Sequence, residues 1–169
     1  MAVINPVHLL DQADRLAAPL QAGPPRQADL RRAISAAYYA VFHLVLTAMA
    51  DEFVGVSKRD DMRYVLVYRS LDHRSLREHC QNVVKPVMPA KLVPFAPSNG
   101  WGTKIQAFAG VVIELQEKRH LADYDPNFRV KTSDVRLAIA TARRAITRFG
   151  TASVPRRQAF LTLLAFPPR

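Results

Sequence analysis

The chain has 169 residues, of which 49% are hydrophobic and 22% are charged. This balance suits one globular domain with a real core and argues against a mostly disordered chain. The net charge of +10 favours a polyanionic partner, and it suits a solubilising surface equally well. Cys80 is the single cysteine, which excludes an intramolecular disulfide and favours a cytoplasmic location.

Helix signals begin at the N-terminus. The opening MAVINPVHLLDQAD lacks a basic segment followed by an apolar one, so no signal peptide is expected. Asn5-Pro6 combines an N-cap side chain with a proline in the first turn, which predicts a helix start, and Gly23-Pro24-Pro25 predicts its end. A second helix is predicted over residues 27–53. Its charge-free part, residues 33–50, reaches the lower length limit of a membrane span, but its Ser, His and Thr residues and its alanine content favour a buried core helix.

The middle of the chain changes character at a proline-rich segment. Before it, residues 60–84 are predicted to be helical, with a division at Asp72, because aspartate prefers helix caps to helix interiors. Residues 85–102 then contain four prolines and two glycines, so they cannot form a helix. Loops of this length tend to be functional or mobile, and a plain connection between helices is the other interpretation.

The last part of the chain predicts three further helices. A fourth helix covers residues 103–124, a fifth is capped by Ser133 and ends at Gly150, and a short last helix opens at Val154-Pro155. The apolar side chains of the last helix are expected to dock on the bundle: Phe160, Leu161, Leu164 and Phe166. The predicted fold is all-α, an up-and-down bundle of about five helices with a short C-terminal helix. A single domain would span residues 1–169, with its core at 5–150 and a basic extension at 151–169.

Polar side chains follow one face of the second helix. Ser35, Tyr39 and His43 are spaced four residues apart, with Arg31 one step before them, so neighbours lie one above another. Hydroxyl and imidazole groups inside a core need hydrogen-bond partners. The pattern predicts either a satisfied internal network around Ser35 and Tyr39, or a site in which His43 titrates.

Arg119 lies in line with the apolar face of the fourth helix, an unusual position for a guanidinium. Such a group needs a carboxylate partner or a phosphate ligand. Asp123, four residues further on, can supply the carboxylate. Internal pairing and phosphate binding are therefore both open interpretations.

Two segments, RRAISAAYYAVFH at 31–43 and RHLADYDP at 119–126, together resemble the HEPN superfamily of helical, often dimeric prokaryotic proteins. Their order, spacing and helix placement match the branch with a Ser-x-x-Tyr-Tyr-Ala helix and an Arg-x-x-Ala-Asp-Tyr ending. The resemblance implies a HEPN-like fold, a homodimer, and a role in a toxin–antitoxin or defence system acting on RNA or a nucleotide.

The resemblance also implies candidate catalytic residues. Many HEPN proteins are metal-independent endoribonucleases with an Arg, four to six residues, and then a His. The Arg would hold the scissile phosphate, and the His would move the proton of the ribose 2′-hydroxyl. In this chain Tyr124 stands at the His position, and tyrosine is a poor base at neutral pH. The candidate catalytic set is therefore Arg119 with Asp123 and Tyr124, with His43 as a replacement base, and whether the chain is an enzyme stays open.

Basic residues are concentrated near the C-terminus. Residues 129–169 hold nine Lys or Arg residues against one acid, Asp134. This concentration predicts an approach surface for nucleic acid on the fifth helix, formed by Arg136, Arg143, Arg144 and Arg148.

The resemblance implies a second function, a non-catalytic interaction module partnering a nucleotidyltransferase. Tyr124 would then be the residue that the partner modifies.

No metal site or cofactor is predicted, since His73, His79 and Cys80 lack the spacing of a recognised ligand set.

Overall fold

The computed structural model describes residues 3–19 and 23–168, and in these residues the protein is all-α. The described residues form seven helices: α1 (Pro6–Leu16), α2 (Gln27–Phe53), α3 (Met62–Tyr68), α4 (His73–Val84), α5 (Gly102–Tyr124), α6 (Thr132–Gly150) and α7 (Val154–Ala165). Short 3-10 turns cover Val56–Lys58 and Val93–Phe95. The predicted all-α class is confirmed.

Most predicted helix ends are confirmed. Asn5 Oδ1 accepts the Val7 N–H at 2.9 Å, and α2 covers the predicted 27–53. Asp72 divides α3 from α4, since its carboxylate accepts the Ser75 N–H at 2.7 Å and caps α4.

Two predicted helix ends are wrong. The first helix ends at Leu16, before Pro19, rather than at residues 23–25. Ser133 is not the cap of α6, which begins one residue earlier, at Thr132. Asp134, in the first turn, reaches back to accept the N–H of Lys131, the residue before the helix, at 3.2 Å.

The helix α2 is the centre of the bundle, where it packs against α1, α3, α5, α6 and α7. It is the one helix among the described residues that is long and apolar enough to cross a membrane. Within its most apolar 18 residues, 72% are buried inside the protein. That burial accounts for its apolar character as a core helix.

Long-range hydrogen bonds fix the direction of the neighbouring helices. Arg31, near the start of α2, donates to the carbonyls of Ala122 and Asp125 at 2.6 and 2.7 Å, so α5 ends where α2 begins. Gln27 exchanges two hydrogen bonds with the Val130 backbone, at 2.8 and 3.0 Å, just before α6. The starts of α2 and α6 and the end of α5 therefore meet at one end of the bundle, with α5 antiparallel to both helices.

The opposite end of the bundle holds the proline-rich loop and α7. Residues 85–102 contain no α-helix before Gly102, as predicted, and buried Leu92 and Trp101 anchor them. Phe160, Leu161 and Leu164 are buried, which confirms the docking of α7. Phe166 departs from that prediction, because it is 65% exposed and contacts the Phe53 ring at the rim, with 5.3 Å between centroids.

Candidate functional site

Arg119 lies on α5 with its guanidinium among tyrosine rings. Cζ is 5.8 Å from the Tyr38 centroid, 5.5 Å from that of Tyr39 and 5.8 Å from that of Tyr124. These distances lie within the range of cation–π attraction. Nη2 donates to the Tyr39 hydroxyl at 2.9 Å. The side chain is 13% exposed, so the charge is largely removed from water.

Asp123 is the charge partner of Arg119. Nε of Arg119 lies 3.0 Å from Oδ2 of Asp123. The angle is not that of a hydrogen bond, so the Nε–H lacks an acceptor among the described residues. We therefore describe the contact as an ion pair held by charge. The expected pairing of these two residues is confirmed.

The other oxygen of Asp123 connects this pair to α2. The Ser35 hydroxyl donates to Oδ1 of Asp123 at 2.5 Å. Ser35 is 5% exposed, and one turn earlier Arg31 caps the end of α5. The polar face of α2 is thus joined to α5 by Arg31, Ser35 and Tyr39 in succession, which is the internal network that the spacing predicted for Ser35 and Tyr39.

A second polar pair lies next to Arg119. The hydroxyl of fully buried Tyr38 is 2.8 Å from Nδ1 of His73, the first residue of α4. Burial raises the pKa of Tyr38 well above its usual range, so the phenol keeps its proton. This hydroxyl has no other partner in the described part of the chain, and the tautomer of His73 decides which of the two groups donates. Desolvation, with the nearby Arg119 charge, lowers the pKa of His73, so its ring is neutral at neutral pH.

His43 lies one turn beyond Tyr39 on α2. Its Nδ1 is 2.7 Å from the Tyr68 hydroxyl of α3, and its ring centroid is 6.2 Å from that of Tyr39. Desolvation, followed by repulsion from His73, lowers the pKa of His43. No hydrogen bond joins His43 to Arg119 among the residues that the structure describes. The two are connected through Tyr39, whose hydroxyl accepts from Arg119.

An open cleft of about 440 Å³ between α1 and α2 gives access to this face. Ser35, Tyr39 and His43 form part of its wall, so three side chains of the polar face of α2 border the same space. Exposed Arg32 lies at its edge and also lines a neighbouring cleft that includes Arg31 and Asp123. The cleft has the volume of a small-ligand site.

Tyr124 and His120 lie on the outer side of α5. Tyr124 is 66% exposed, its ring covers the Arg119 guanidinium, and its hydroxyl forms no hydrogen bond within the described ranges. His120 is exposed and packs against Tyr124, with 5.2 Å between ring centroids, rather than against Arg119.

The four arginines predicted as an approach surface are all exposed on α6. Arg143 is engaged by Asp11 and Asp14 of α1, at 3.2 and 2.6 Å. Arg144 donates to Thr141 at 3.2 Å. The side chains of Arg136 and Arg148 have no ion pair in the portion described. None of the four contacts the Arg119 cluster there, so they form a surface separate from it.

No group of three His, Cys, Asp or Glu side chains that could hold a metal ion occurs among residues 3–19 and 23–168. Comparison of the chain with protein-family models, curated proteins and solved structures gives no match.

Three residues of this cluster were missed by the sequence analysis. Tyr38 is adjacent to the predicted Tyr39 but turns inward, and Tyr68 and His73 arrive from α3 and α4. Their contacts depend on how those helices pack on α2 and α5. Two signals in the sequence point to these residues. The Asp72 cap fixes His73 at the start of a helix, and the AYYA segment places Tyr38 directly beside Tyr39.

Proposed function

We propose that this chain is a HEPN-like domain that binds the phosphate groups of RNA or of a nucleotide at Arg119, within a toxin–antitoxin or defence system. The observation that carries the proposal is the state of the Arg119 guanidinium. It is enclosed by three tyrosine rings and 13% exposed, and its Nη1 has no hydrogen-bond partner in the described residues. A desolvated guanidinium with unused donors favours phosphate, which it binds bidentately.

The surroundings of Arg119 suit a nucleic-acid strand. Tyr124 offers an exposed ring, and Tyr39 borders the cleft between α1 and α2. Aromatic rings of this kind stack on unpaired bases. Arg32, exposed at the edge of the same cleft, adds a cation for the backbone. The α6 arginines Arg136, Arg143, Arg144 and Arg148 would contribute to the long-range field that attracts the strand.

Cleavage would require a proton acceptor for the 2′-hydroxyl. His73 is less suited, because it does not line the cleft between α1 and α2, whereas Nδ1 of each of the two histidines is engaged by a tyrosine hydroxyl. His43 borders the cleft, and burial keeps it neutral and able to accept a proton at neutral pH. In an active enzyme His43 would therefore act as the base, and Arg119 would stabilise the charge that develops on the phosphate. Asp123 would orient Arg119.

The test is cleavage of a labelled RNA mixture in excess chelator, alongside binding at low salt. The variants are Arg119→Ala and His43→Ala, with His120→Ala as the matched control, since His120 is exposed and turned away from Arg119. Cleavage that is lost with Arg119→Ala and His43→Ala but kept with His120→Ala supports a metal-independent nuclease. Binding without cleavage, weakened by Arg119→Ala, supports a non-cutting domain. If the wild type neither binds nor cleaves RNA, the proposal is overturned.

A second candidate function is that of an interaction module paired with a nucleotidyltransferase. The observation that favours it is Tyr124, whose unbonded hydroxyl is exposed while Arg119 lies under its ring. A phosphate attached to that hydroxyl would have a cation close by. Co-expression with a nucleotidyltransferase encoded beside this chain, followed by mass spectrometry of wild type and Tyr124→Phe, tests this function. An unmodified wild type that does not co-purify with the partner contradicts it.

A further inference from the structure

A polar cavity of about 340 Å³ lies at the opposite end of the bundle from Arg119. It is bordered by the end of the proline-rich loop, the start of α5 and the connection from α6 to α7. Its polar wall consists of Trp101, Thr103, Lys104, Thr151, Ser153 and Arg156, with no acidic residue. Arg119 lies about 25 Å further along α5, at 1.5 Å per residue from Gly102. The cavity is therefore distinct from the candidate site.

Two helices begin at this cavity. The helix α5 has 23 residues and α7 has 12, and neither has a side-chain cap or an acid in its first turn. The first N–H groups of a helix lack intrahelical acceptors and carry the positive end of its dipole. The start of α5 therefore offers uncompensated donors to an anion, whereas α7 adds mainly the positive end of its dipole, because Pro155 has no N–H and the Arg156 N–H donates to the Ser153 carbonyl at 3.1 Å.

An independent observation is the indole of Trp101. The residue forms part of the cavity wall and is 3% exposed, and its Nε1–H is buried without a hydrogen-bond partner among the described residues. An indole N–H can only donate. Leaving such a donor unpaired in the interior is costly. An anionic acceptor in the cavity would satisfy it.

Arg156 and Lys104 bring two positive charges to the same wall. Arg156 Nε donates to the Gly100 carbonyl at 3.1 Å, and its Nη1 passes over Gly102 so closely that a Cβ there would lie 2.5 Å from it. Gly102, at φ +72°, thus makes room for the guanidinium at the start of α5. Lys104 Nζ donates to the Thr151 carbonyl at 2.8 Å, which leaves two of its three ammonium protons for a ligand.

We propose that this cavity binds a phosphate group, supplied either as inorganic phosphate or as the terminal phosphate of a nucleotide or an RNA end. Every polar side chain of the wall carries a hydrogen-bond donor, two of these side chains are cations, and the buried indole N–H lacks an acceptor among the described residues. The site does not depend on Arg119, so it can be tested whether or not the proposed RNA binding holds.

Trp101 provides the readout, because it is the single tryptophan of the chain. Its fluorescence is titrated with inorganic phosphate, at an ionic strength held constant with sodium chloride. We expect a saturable change for the wild type and for Arg119→Ala. Lys104→Gln should weaken binding by about tenfold, as loss of a charged hydrogen bond does, whereas Arg74→Gln, an arginine that is 86% exposed at the start of α4, should not.

Two further measurements test the site and identify its ligand. Arg156→Gln should also weaken phosphate binding, with its thermal unfolding followed to confirm that it folds. A 5′-phosphorylated ribodinucleotide is compared with its 5′-hydroxyl counterpart. Tighter binding of the phosphorylated form than of inorganic phosphate assigns the site to an RNA or nucleotide end, and the reverse order assigns it to free phosphate. The proposal would be overturned if the wild type showed no saturable change in fluorescence. It would also be overturned if Lys104→Gln and Arg156→Gln both bound phosphate as tightly as the wild type does.

Discussion

Arg119 and Asp123 form an ion pair across one turn of α5, with 3.0 Å between Nε and Oδ2, while the Ser35 hydroxyl holds the other carboxylate oxygen. The pair is partly removed from solvent, with side-chain exposures of 13% and 26%. Asp123 therefore both orients the guanidinium and offsets its charge. A phosphate ligand would have to compete with this carboxylate.

Asp123→Asn should raise the affinity of the protein for RNA, because it removes the negative charge next to Arg119. It should also lower the free energy of unfolding by about 1–3 kcal/mol, since Arg119 loses its partner. Binding is measured by fluorescence anisotropy and stability by urea unfolding. Glu117→Gln, which removes an exposed carboxylate of α5, is the control. Weaker RNA binding by Asp123→Asn would show that Asp123 aids binding by orienting Arg119 more than it opposes binding by offsetting the Arg119 charge.

Tyr38→Phe should destabilise the fold by about 1–3 kcal/mol, because it removes the hydrogen bond between the fully buried Tyr38 and Nδ1 of His73. Tyr124→Phe is the matched control, since that hydroxyl is exposed and unbonded. Its unfolding free energy should stay within about 0.5 kcal/mol of the wild type. Equal midpoints for the two variants in urea unfolding would contradict the Tyr38–His73 hydrogen bond.

Buried histidines should make the protein less stable in acid. Desolvation lowers the pKa of His79 to about 4, against a hydrogen bond to the Phe160 carbonyl that raises it, and the residue is 7% exposed. Because the folded state binds the proton less tightly than the unfolded chain does, the stability is complete above pH ~6.5 and is lost as the pH falls. His43 and His73 act in the same direction.

The His79 contribution should amount to about 3 kcal/mol between pH ~6.5 and pH 4. Urea unfolding of wild type and His79→Gln across that range measures it, since the variant lacks the titrating ring. The wild type should lose more stability than the variant on acidification. Parallel curves for the two proteins would show that His79 is not buried in its neutral form.

Gly102→Ala should be more destabilising than Gly100→Ala. The two glycines have nearly the same φ, +72° and +68°, so both substitutions carry the strain of a residue with positive φ, about 1–2 kcal/mol. A Cβ at Gly100 meets open space, whereas one at Gly102 must displace the Arg156 guanidinium. Thermal unfolding of both variants checks the order, and equal losses would mean that Arg156 moves aside without cost.

The sequence predicted the end of a helix correctly where a single capping residue determines it. Asp72 divides α3 from α4, and Asn5 begins α1, because each supplies a cap that acts within three residues. The cap of α6 was misassigned because Ser133 and Asp134 are both good capping residues, and the local sequence does not say which one reaches the free N–H group.

The candidate site was predicted only along single helices. Spacing by four placed Ser35 and Tyr39 on one face and paired Arg119 with Asp123, and both relationships are found in the structure. Tyr68 and His73 enter from helices that pack on α2 and α5. Their positions are set by the crossing of whole helices, which no short spacing encodes.

Salt dependence of RNA binding is the most direct test of the proposed function. Affinity for a labelled single-stranded RNA is measured from low to high salt for the wild type, for Arg119→Gln, and for Arg74→Gln, an arginine that is 86% exposed on α4. We predict weaker binding by Arg119→Gln and a salt slope shallower by about 0.7, the value of one phosphate contact on a single strand. Arg74→Gln should match the wild type. Identical affinities and slopes for Arg119→Gln and the wild type would contradict the assignment of Arg119 as the phosphate-binding residue.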